Sequence, residues 1–340
     1  MAEYKGIKGF KVQSLASDPS GPEGQVWYNT AGYVLKYQGT ATSWSSGAVL
    51  GTALYNKGGG GGTLTAGITM SGKTGPGPSA PPNTTLKTQL YNGTSWSDGN
   101  DLNLARYAAG GTGNQTAAVI AGGTISGTPS ETAISESYDG STWTTGNSLT
   151  RGTCRSLGAA GIQTAAFVVG GAKGQPTTGE TETFDGTSWT ESGDLNTIRA
   201  HMGTAGTLTA GVAYGGITPG PSLTAGTAAT EEWNGSVWAN SNDMLSNRRE
   251  LGSCGTQTAA FGFGGIGPPS NQTKGVAETY DGTSWSEGAD LSTARYAGTP
   301  SHAGSTTSAF YAGGNTGSAP TYNITEEFGP ANVVKTVTVS

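Results

Sequence analysis

Small and large residues alternate in short stretches along this chain, and two such stretches define one repeating unit. The first, TAAFGFGG at 258–265, ends in two glycines, which is typical of a strand pressed between neighbours. The second, VAETY at 276–280, alternates again, and Asp281-Gly282 predicts a tight hairpin turn before Trp285. Together with a short segment after Arg248, the unit is predicted to hold four antiparallel strands.

Two strands of this unit recur in six copies each along most of the chain: the strand that ends in a glycine pair and the strand that begins with tryptophan. Strands with a terminal glycine pair end at Gly123, Gly171, Gly216, Gly265 and Gly314, and a degenerate copy ends at Gly72. Tryptophan opens the other strand at Trp44, Trp96, Trp143, Trp189, Trp238 and Trp285, at intervals of 52, 47, 46, 49 and 47 residues. An interval of this size accommodates one propeller blade. The sequence therefore predicts an all-β fold, a six-bladed β-propeller of four-stranded antiparallel blades.

The two kinds of strand are out of register at the ends of the chain. The strand around Trp44 comes first, whereas TEEF at 325–328 has no Trp strand after it. We expect the N-terminal strand to pair with the C-terminal blade, because such pairing closes the ring and removes exposed sheet edges. The predicted organisation is an N-terminal attachment segment at 1–33, the propeller at 34–330 and a C-terminal tail strand at 331–340.

Composition restricts the partners expected for this chain. Charged residues make up 12% of the sequence, against about 25% in ordinary globular domains. A net charge of −6 argues against nucleic acid as a partner. No stretch reaches the roughly 20 apolar residues of a transmembrane helix, so we expect no membrane insertion. Cys154 and Cys254 are predicted to be two small buried hydrophobes rather than a disulfide.

Arginine and glutamate recur at fixed places in the repeat. Arginines stand at the blade starts, at Arg106, Arg155, Arg199, Arg248 and Arg295. Glutamates stand two residues before the third-strand aromatic, at Glu136, Glu182, Glu231, Glu278 and Glu326. The first blade departs from both patterns, with Gln89 in the glutamate position and Tyr55 in the arginine position. This joint loss favours structural ion pairs, and an arginine cluster for a carboxylate ligand is the alternative.

The connections between strands differ in length and variety. Those between first and second strands and between third and fourth strands are short and uniform, whereas the second-to-third connections are long and variable. Variable loops on a rigid scaffold are the usual place for recognition, although loops that have drifted without constraint are an equal alternative. The candidate ligand-binding residues are Lys73, Pro76, Pro78, Asn83, Thr124, Lys173, Pro219, Pro221, Pro268, Asn271, Lys274 and Asn315.

Several of these motifs resemble known families. The glycine pair, the third-strand aromatic, the following Trp and the arginine after it are similar to Kelch repeats between Trp44 and Phe328, although the DGTS-type turn is shorter than the usual Kelch connection. The segments ETYDGTSW and GTQTAAFGFGG, together with the N-terminal segment MAEYKGIKGF, resemble virion structural proteins of tailed bacteriophages and cyanophages.

The virion resemblance implies a non-enzymatic tail fibre or surface protein without cofactor, assembled in the host bacterial cytoplasm. Its N-terminal segment would bind other virion proteins, its propeller would bind a host receptor or surface glycan, and a homotrimer is the expected assembly. A capsid or tail decoration protein that binds only virion subunits is an alternative.

An enzyme is the other class of function. The only two histidines, His201 and His302, are too few for a metal centre with several imidazoles, so no metal site and no catalytic residue is predicted. YDGSTW at 138–143 nearly matches the Asp-box of sialidases, with one residue fewer between Asp and Gly. A sialidase-like glycan hydrolase is therefore the enzymatic alternative, and it would need an arginine cluster and an activated tyrosine.

Overall fold

The computed structural model describes residues 13–18, 26–55, 59–74, 84–125, 130–174, 177–220, 226–317 and 323–336. The chain divides into two compact units, Trp44–Phe328 and a smaller one that joins Met1–Ser43 to Gly329–Ser340. These boundaries differ from the predicted ones at 33 and 330. Among the residues that the structure describes, no helix is long and apolar enough to cross a membrane.

The smaller unit contains a short sheet near the N-terminus. Strand β1 (Gln13–Leu15) runs parallel to β2 (Val26–Asn29), and β2 pairs antiparallel with the first part of β3 (Val34–Ser46). Asp18 accepts hydrogen bonds from the Trp27 indole at 3.3 Å and from Lys36 Nζ at 2.9 Å. These bonds tie the turn after β1 to the hairpin formed by β2 and β3.

The larger unit consists of six blades, numbered 1 to 6 in chain order, each built on a four-stranded antiparallel sheet. Blade 1 contains β4 (Gly59–Thr63), β5 (Ala66–Lys73), β6 (Thr84–Tyr91) and β7 (Trp96–Asp98). Blade 2 contains β8 (Arg106–Tyr107), β9 (Gly110–Asn114), β10 (Ala117–Ala121), β11 (Thr124–Ile125), β12 (Ser135–Tyr138) and β13 (Trp143–Thr145). Blade 3 contains β14 (Gly158–Ile162), β15 (Ala165–Val169), β16 (Thr181–Phe184) and β17 (Trp189–Ser192).

The remaining blades follow the same order. Blade 4 contains β18 (Gly203–Thr207), β19 (Ala210–Tyr214), β20 (Thr230–Trp233) and β21 (Trp238–Ser241). Blade 5 contains β22 (Gly252–Thr256), β23 (Ala259–Phe263), β24 (Ile266–Gly267), β25 (Gln272–Thr273), β26 (Ala277–Tyr280) and β27 (Trp285–Glu287). Blade 6 contains β28 (Thr299–Pro300), β29 (Ala309–Ala312) and β30 (Thr325–Thr336). Strands β8 and β11 in blade 2 and strands β24 and β25 in blade 5 form additional two-stranded sheets. The four-stranded antiparallel sheets confirm the predicted fold class.

The fourth strand of blade 6 is supplied by β3, which lies next to β30 in the sheet. The Gly47 N–H donates to the Thr325 carbonyl at 2.8 Å. The Trp44 ring packs against Phe263 and Phe328, with ring centroids 4.9 and 5.2 Å apart. The two ends of the larger unit thus meet in one sheet.

The first strands of the blades lie side by side around a common channel. Each first strand contacts the first strand of the next blade, and β28 contacts β4. This approach requires small residues: a Cβ added to Gly59 would lie 2.9 Å from the Gly111 Cα, and one added to Gly61 would lie 2.4 Å from the Gly113 carbonyl oxygen. The glycine-rich inner strands therefore follow from backbone-to-backbone packing.

Candidate binding site at the channel mouth

Four of the blade-start arginines are buried and paired with glutamates of the third strands. The pairs, with N–O distances of 2.5–3.0 Å, are Arg106–Glu136, Arg199–Glu231, Arg248–Glu278 and Arg295–Glu326. The carboxylates also accept hydrogen bonds from the chain that leads to the first strand, as when the Asn196 N–H donates to Glu231 at 2.7 Å. Burial lowers the pKa of the Arg199 guanidinium, and Glu231 opposes that shift. These arginines are structural and are not available to a ligand.

Blade 3 forms the ion pair with a different arginine from the one that the sequence indicated. Arg151 Nε lies 2.9 Å from Glu182 Oε1, with both side chains buried. The position of the other arginines is occupied by Cys154, whose carbonyl accepts from the glycine pair of the preceding blade. Arg155 pairs with Glu131 at 2.9 Å and keeps 35% of its side chain exposed. The assignment of Arg155 is corrected, because the link that leads into blade 3 is one residue longer than its counterparts.

Blade 1 replaces the ion pair with neutral groups. The Gln89 side chain accepts from the Thr52 N–H at 2.9 Å and donates to the Thr52 carbonyl at 3.1 Å. The arginine position is taken by the buried Leu54, whose carbonyl accepts from Gly314 N–H at 2.7 Å. The assignment of Tyr55 to that position is therefore corrected by one residue.

Five left-handed residues stand at the start of the first strands and form what we call the mouth ring. They have φ between 54° and 59° and are Ala108, Ser156, His201, Glu250 and Ala297. Each N–H after the first donates to the carbonyl of the preceding member, at 2.5 Å for Ser156, 3.1 Å for His201, 2.8 Å for Glu250 and 3.0 Å for Ala297. These bonds between blades hold the five residues in a conformation that non-glycine residues seldom adopt.

The channel at the mouth ring is narrow. It holds a partly open cavity of about 60 Å³, lined by residues of blades 2 to 6 that include His201, Glu250 and His302. A water molecule needs about 10–15 Å³ of such volume, so the cavity suits a few waters or one small group, but not a whole sugar ring. His201 and His302 stand at different positions within their repeats, yet both line this cavity.

The residues one position before the ring members, together with Tyr55 of blade 1, form what we call the rim. Bridges to the second-strand ends give them one register in all six blades: Tyr55, Tyr107, Arg155, Ala200, Arg249 and Tyr296. All of them except the buried Ala200 are partly exposed. Lys73 Nζ lies 4.1 Å from the centroid of the Tyr107 ring. The sequence analysis missed the rim, although in blades 2, 4, 5 and 6 its signal was the residue directly after the blade-start arginine.

Charged side chains stand at several places around the mouth, with Lys73 in blade 1, Arg155 in blade 3, and Arg249 and Glu250 in blade 5. Glu250 Oε1 lies 2.7 Å from Arg249 Nη1 and 3.8 Å from His201 Nδ1. Burial lowers the pKa of His201 from 6.5, with Arg249 and Arg155 adding to the shift and Glu250 opposing it. Burial and then Glu250 raise the pKa of Tyr296. At neutral pH His201 is therefore uncharged and Tyr296 keeps its proton as a hydrogen-bond donor.

The candidate loop residues fall into different places. Three reach the rim: Lys73 is bridged to Tyr55, Thr124 to Tyr107 and Asn315 to Tyr296. Lys173 pairs with Glu180 at 2.7 Å. The others that the structure describes lie on surface loops, with Pro219 and Pro268 exposed and Asn271 and Lys274 partly buried. Pro76, Pro78, Asn83 and Pro221 lie outside the described residues.

Metal ligands do not cluster in the described ranges, which contain no group of three or more His, Cys, Asp or Glu side chains placed to hold an ion. Both cysteines, Cys154 and Cys254, are free and buried. The chemistry available at the mouth is that of one carboxylate, two imidazoles, a serine hydroxyl, phenols, one ammonium and two guanidinium groups.

Comparison with known proteins supports the fold and bears on the function. No family model matches the sequence, and no curated protein matches it. Among solved structures, that of YjhT is similar with a TM-score of 0.65 at 11% identity, over 82% of this chain and 95% of that one. At this identity the likeness establishes a β-propeller fold. The resemblance to Kelch repeats and to phage virion proteins has no support here and stays a prediction.

The expectation that the protein is not an enzyme is contradicted by this likeness. YjhT is a sialidase-like protein, and at 11% identity the likeness extends to this chain as a shared fold.

Proposed function

We propose that this protein binds a glycan at the mouth of its channel and hydrolyses a glycosidic bond there. The observation that carries this proposal is Glu250, a carboxylate at the mouth held by Arg249 at 2.7 Å beside the partly exposed Tyr296. The likeness to a sialidase-like propeller supports the same class of chemistry.

The rim tyrosines suit the binding of sugars. Three tyrosines of the rim are partly exposed, namely Tyr55, Tyr107 and Tyr296. Tyr55 lies close enough to the other two to interact with them electrostatically. Aromatic rings offer apolar faces to the CH groups of a pyranose, and phenol hydroxyls offer hydrogen bonds to its OH groups. Because the channel is too narrow for a sugar ring, the ligand would rest on the rim and reach into the mouth with one group.

Hydrolysis of a glycoside needs a group that moves a proton and a second group that stabilises charge at the reacting carbon or leaving oxygen. We assign the proton transfer to Glu250, because a 2.7 Å hydrogen bond from Arg249 Nη1 fixes its position. Tyr296 would donate a hydrogen bond to a sugar oxygen, since its raised pKa keeps the phenol protonated. This state disfavours Tyr296 as the nucleophile that sialidases use.

The test is turnover of a panel of 4-methylumbelliferyl glycosides, comprising neutral hexosides, N-acetylhexosaminides and a sialoside. We expect at least one to be hydrolysed, and Glu250→Gln to lower kcat by about 100-fold or more while binding is kept. Glu287→Gln is the control, because Glu287 is exposed on β27, the fourth strand of blade 5, whereas the first strands surround the channel. Absence of turnover across the panel, or an equal loss in the control, would overturn the hydrolytic role.

A further inference from the structure

The mouth ring is chemically uneven around its circumference. Ser156, His201 and Glu250 come from the consecutive blades 3, 4 and 5, and they form a polar arc. Ala297 and Ala108 come from blades 6 and 2, and they form an apolar arc. All five line the same cavity. From these five ring members, a ligand that enters the mouth meets hydrogen-bonding groups on one side and methyl groups on the other, with His302 as a further member of the cavity wall.

Ser156 is the member whose side chain has no role inside the protein. Its N–H donates to the Ala108 carbonyl and its own carbonyl accepts from His201 N–H, so the backbone is satisfied. Its hydroxyl, by contrast, has no hydrogen-bond partner within the described part of the chain, although the residue is only 6% exposed. A buried hydroxyl without a partner is destabilising, because its lost hydrogen bonds to water are not replaced. Such a group in a cavity wall is suited to a partner from outside the protein.

The backbone conformation of Ser156 bears on why a side chain is present at this position. Ser156 has φ of 59°, a conformation that glycine adopts without steric cost. The chain does use glycine at many positive-φ sites, including the neighbouring pair Gly170 and Gly171. All five ring members share this conformation without glycine, so what distinguishes Ser156 is its unpartnered hydroxyl, which binding of a ligand would account for.

We propose that the polar arc orients the glycan, with the Ser156 hydroxyl bonding one hydroxyl of a pyranose and the apolar arc facing its CH groups. The cavity of about 60 Å³ admits one hydroxyl-bearing group of the sugar and leaves the ring itself outside against the rim. This inference rests on the proposed function, because it names the part of the substrate that the same site recognises. The ligand is thus a pyranose with a free hydroxyl-bearing group on one edge and a CH-lined face opposite.

The experiment measures binding of a panel of methyl glycosides, and of the deoxy analogues of whichever one binds, by saturation-transfer NMR and calorimetry. We expect Ser156→Ala to raise the Kd of the best-bound methyl glycoside about 5- to 10-fold. The deoxy analogue that lacks the contacted hydroxyl should bind wild type and Ser156→Ala equally. Ala297→Ser, a matched change on the apolar arc, should not improve binding.

The outcomes separate this inference from the proposed function. If a glycoside binds and Ser156→Ala leaves its Kd unchanged, the orienting role is overturned while glycan binding stands. If no methyl glycoside binds wild type, both are overturned. The Tm of Ser156→Ala should equal or exceed that of wild type, since the hydroxyl has no internal partner. A clear decrease in Tm would show a structural role and contradict the inference.

Discussion

Arg199 and Glu231 represent the buried ion pairs that tie the chain between blades to the third strands. Their nitrogen and oxygen atoms are 3.0 Å apart and both side chains are almost fully buried. In blade 1, Leu54 and Gln89 occupy the same two places without charge. A propeller with little apolar area can thus fix its connecting chain with either a charged or a neutral pair, provided that both partners change together.

Loss of one partner should therefore be costly. We expect Arg199→Met to lower the free energy of unfolding by about 3–5 kcal/mol, because the Glu231 carboxylate would stay buried without its cation. Arg155→Met is the control, since 35% of the Arg155 side chain is exposed, and it should cost less than about 1 kcal/mol. Urea unfolding measures both variants. Equal effects would contradict the structural role assigned to the buried pairs.

His201 makes stability depend on pH. Burial holds its pKa in the folded protein below 6.5, so the unfolded chain binds the proton more readily. The contribution is therefore complete above the unfolded pKa and is lost as the pH falls below it towards the folded pKa. We expect urea unfolding at pH 7.5 and 5.5 to show a smaller loss for His201→Gln than for wild type. Equal losses in the two proteins would contradict this assignment.

At the scale of the element, strand prediction succeeded because its signals are local. Alternation of residue size, the glycine pair and the Asp-Gly turn are each contained within a few residues, and the fourth strands begin at Trp96, Trp143, Trp189, Trp238 and Trp285 as expected. The turn between first and second strands was less uniform than predicted. Five blades use two residues there, such as 115–116, whereas blade 6 uses 301–308.

The candidate site was less predictable, because contacts between blades create it. The mouth ring depends on N–H groups of one blade that bond to carbonyls of the preceding blade, at a separation of about one repeat. The sequence analysis assigned Tyr55 to the arginine position one residue too late, and in blade 3 it assigned the ion pair to Arg155 instead of Arg151. These two assignments concealed the shared register of the rim. Variable loops drew attention to positions such as Pro219 and Lys274, whereas the rim lies on regular bridges beside the first strands.

At the scale of the whole molecule, the larger unit begins and ends in the same blade. The Ser45 hydroxyl donates to the Glu327 carbonyl at 3.4 Å, and the Trp44 indole donates to the Ala289 carbonyl at 2.9 Å. Trp44 also lies in a buried cluster with Phe261, Phe263 and Phe328. The first few residues of this unit therefore complete blade 6 and pack against blade 5.

A pair of fragments tests this dependence. The fragment 44–328 matches one compact unit, so we expect it to fold and to give a single unfolding transition. The fragment 48–328 lacks the strand around Trp44 and should be less stable by about 3–5 kcal/mol, the usual cost of removing a large buried aromatic side chain. Differential scanning calorimetry compares the two.

Trp44→Ala within 44–328 separates the contribution of the indole from that of the strand. A Tm equal to that of 48–328 assigns the loss to ring packing, and an intermediate Tm assigns part of it to β3–β30 pairing. Equal Tm values for all three proteins would show that blade 6 is complete without the N-terminal strand.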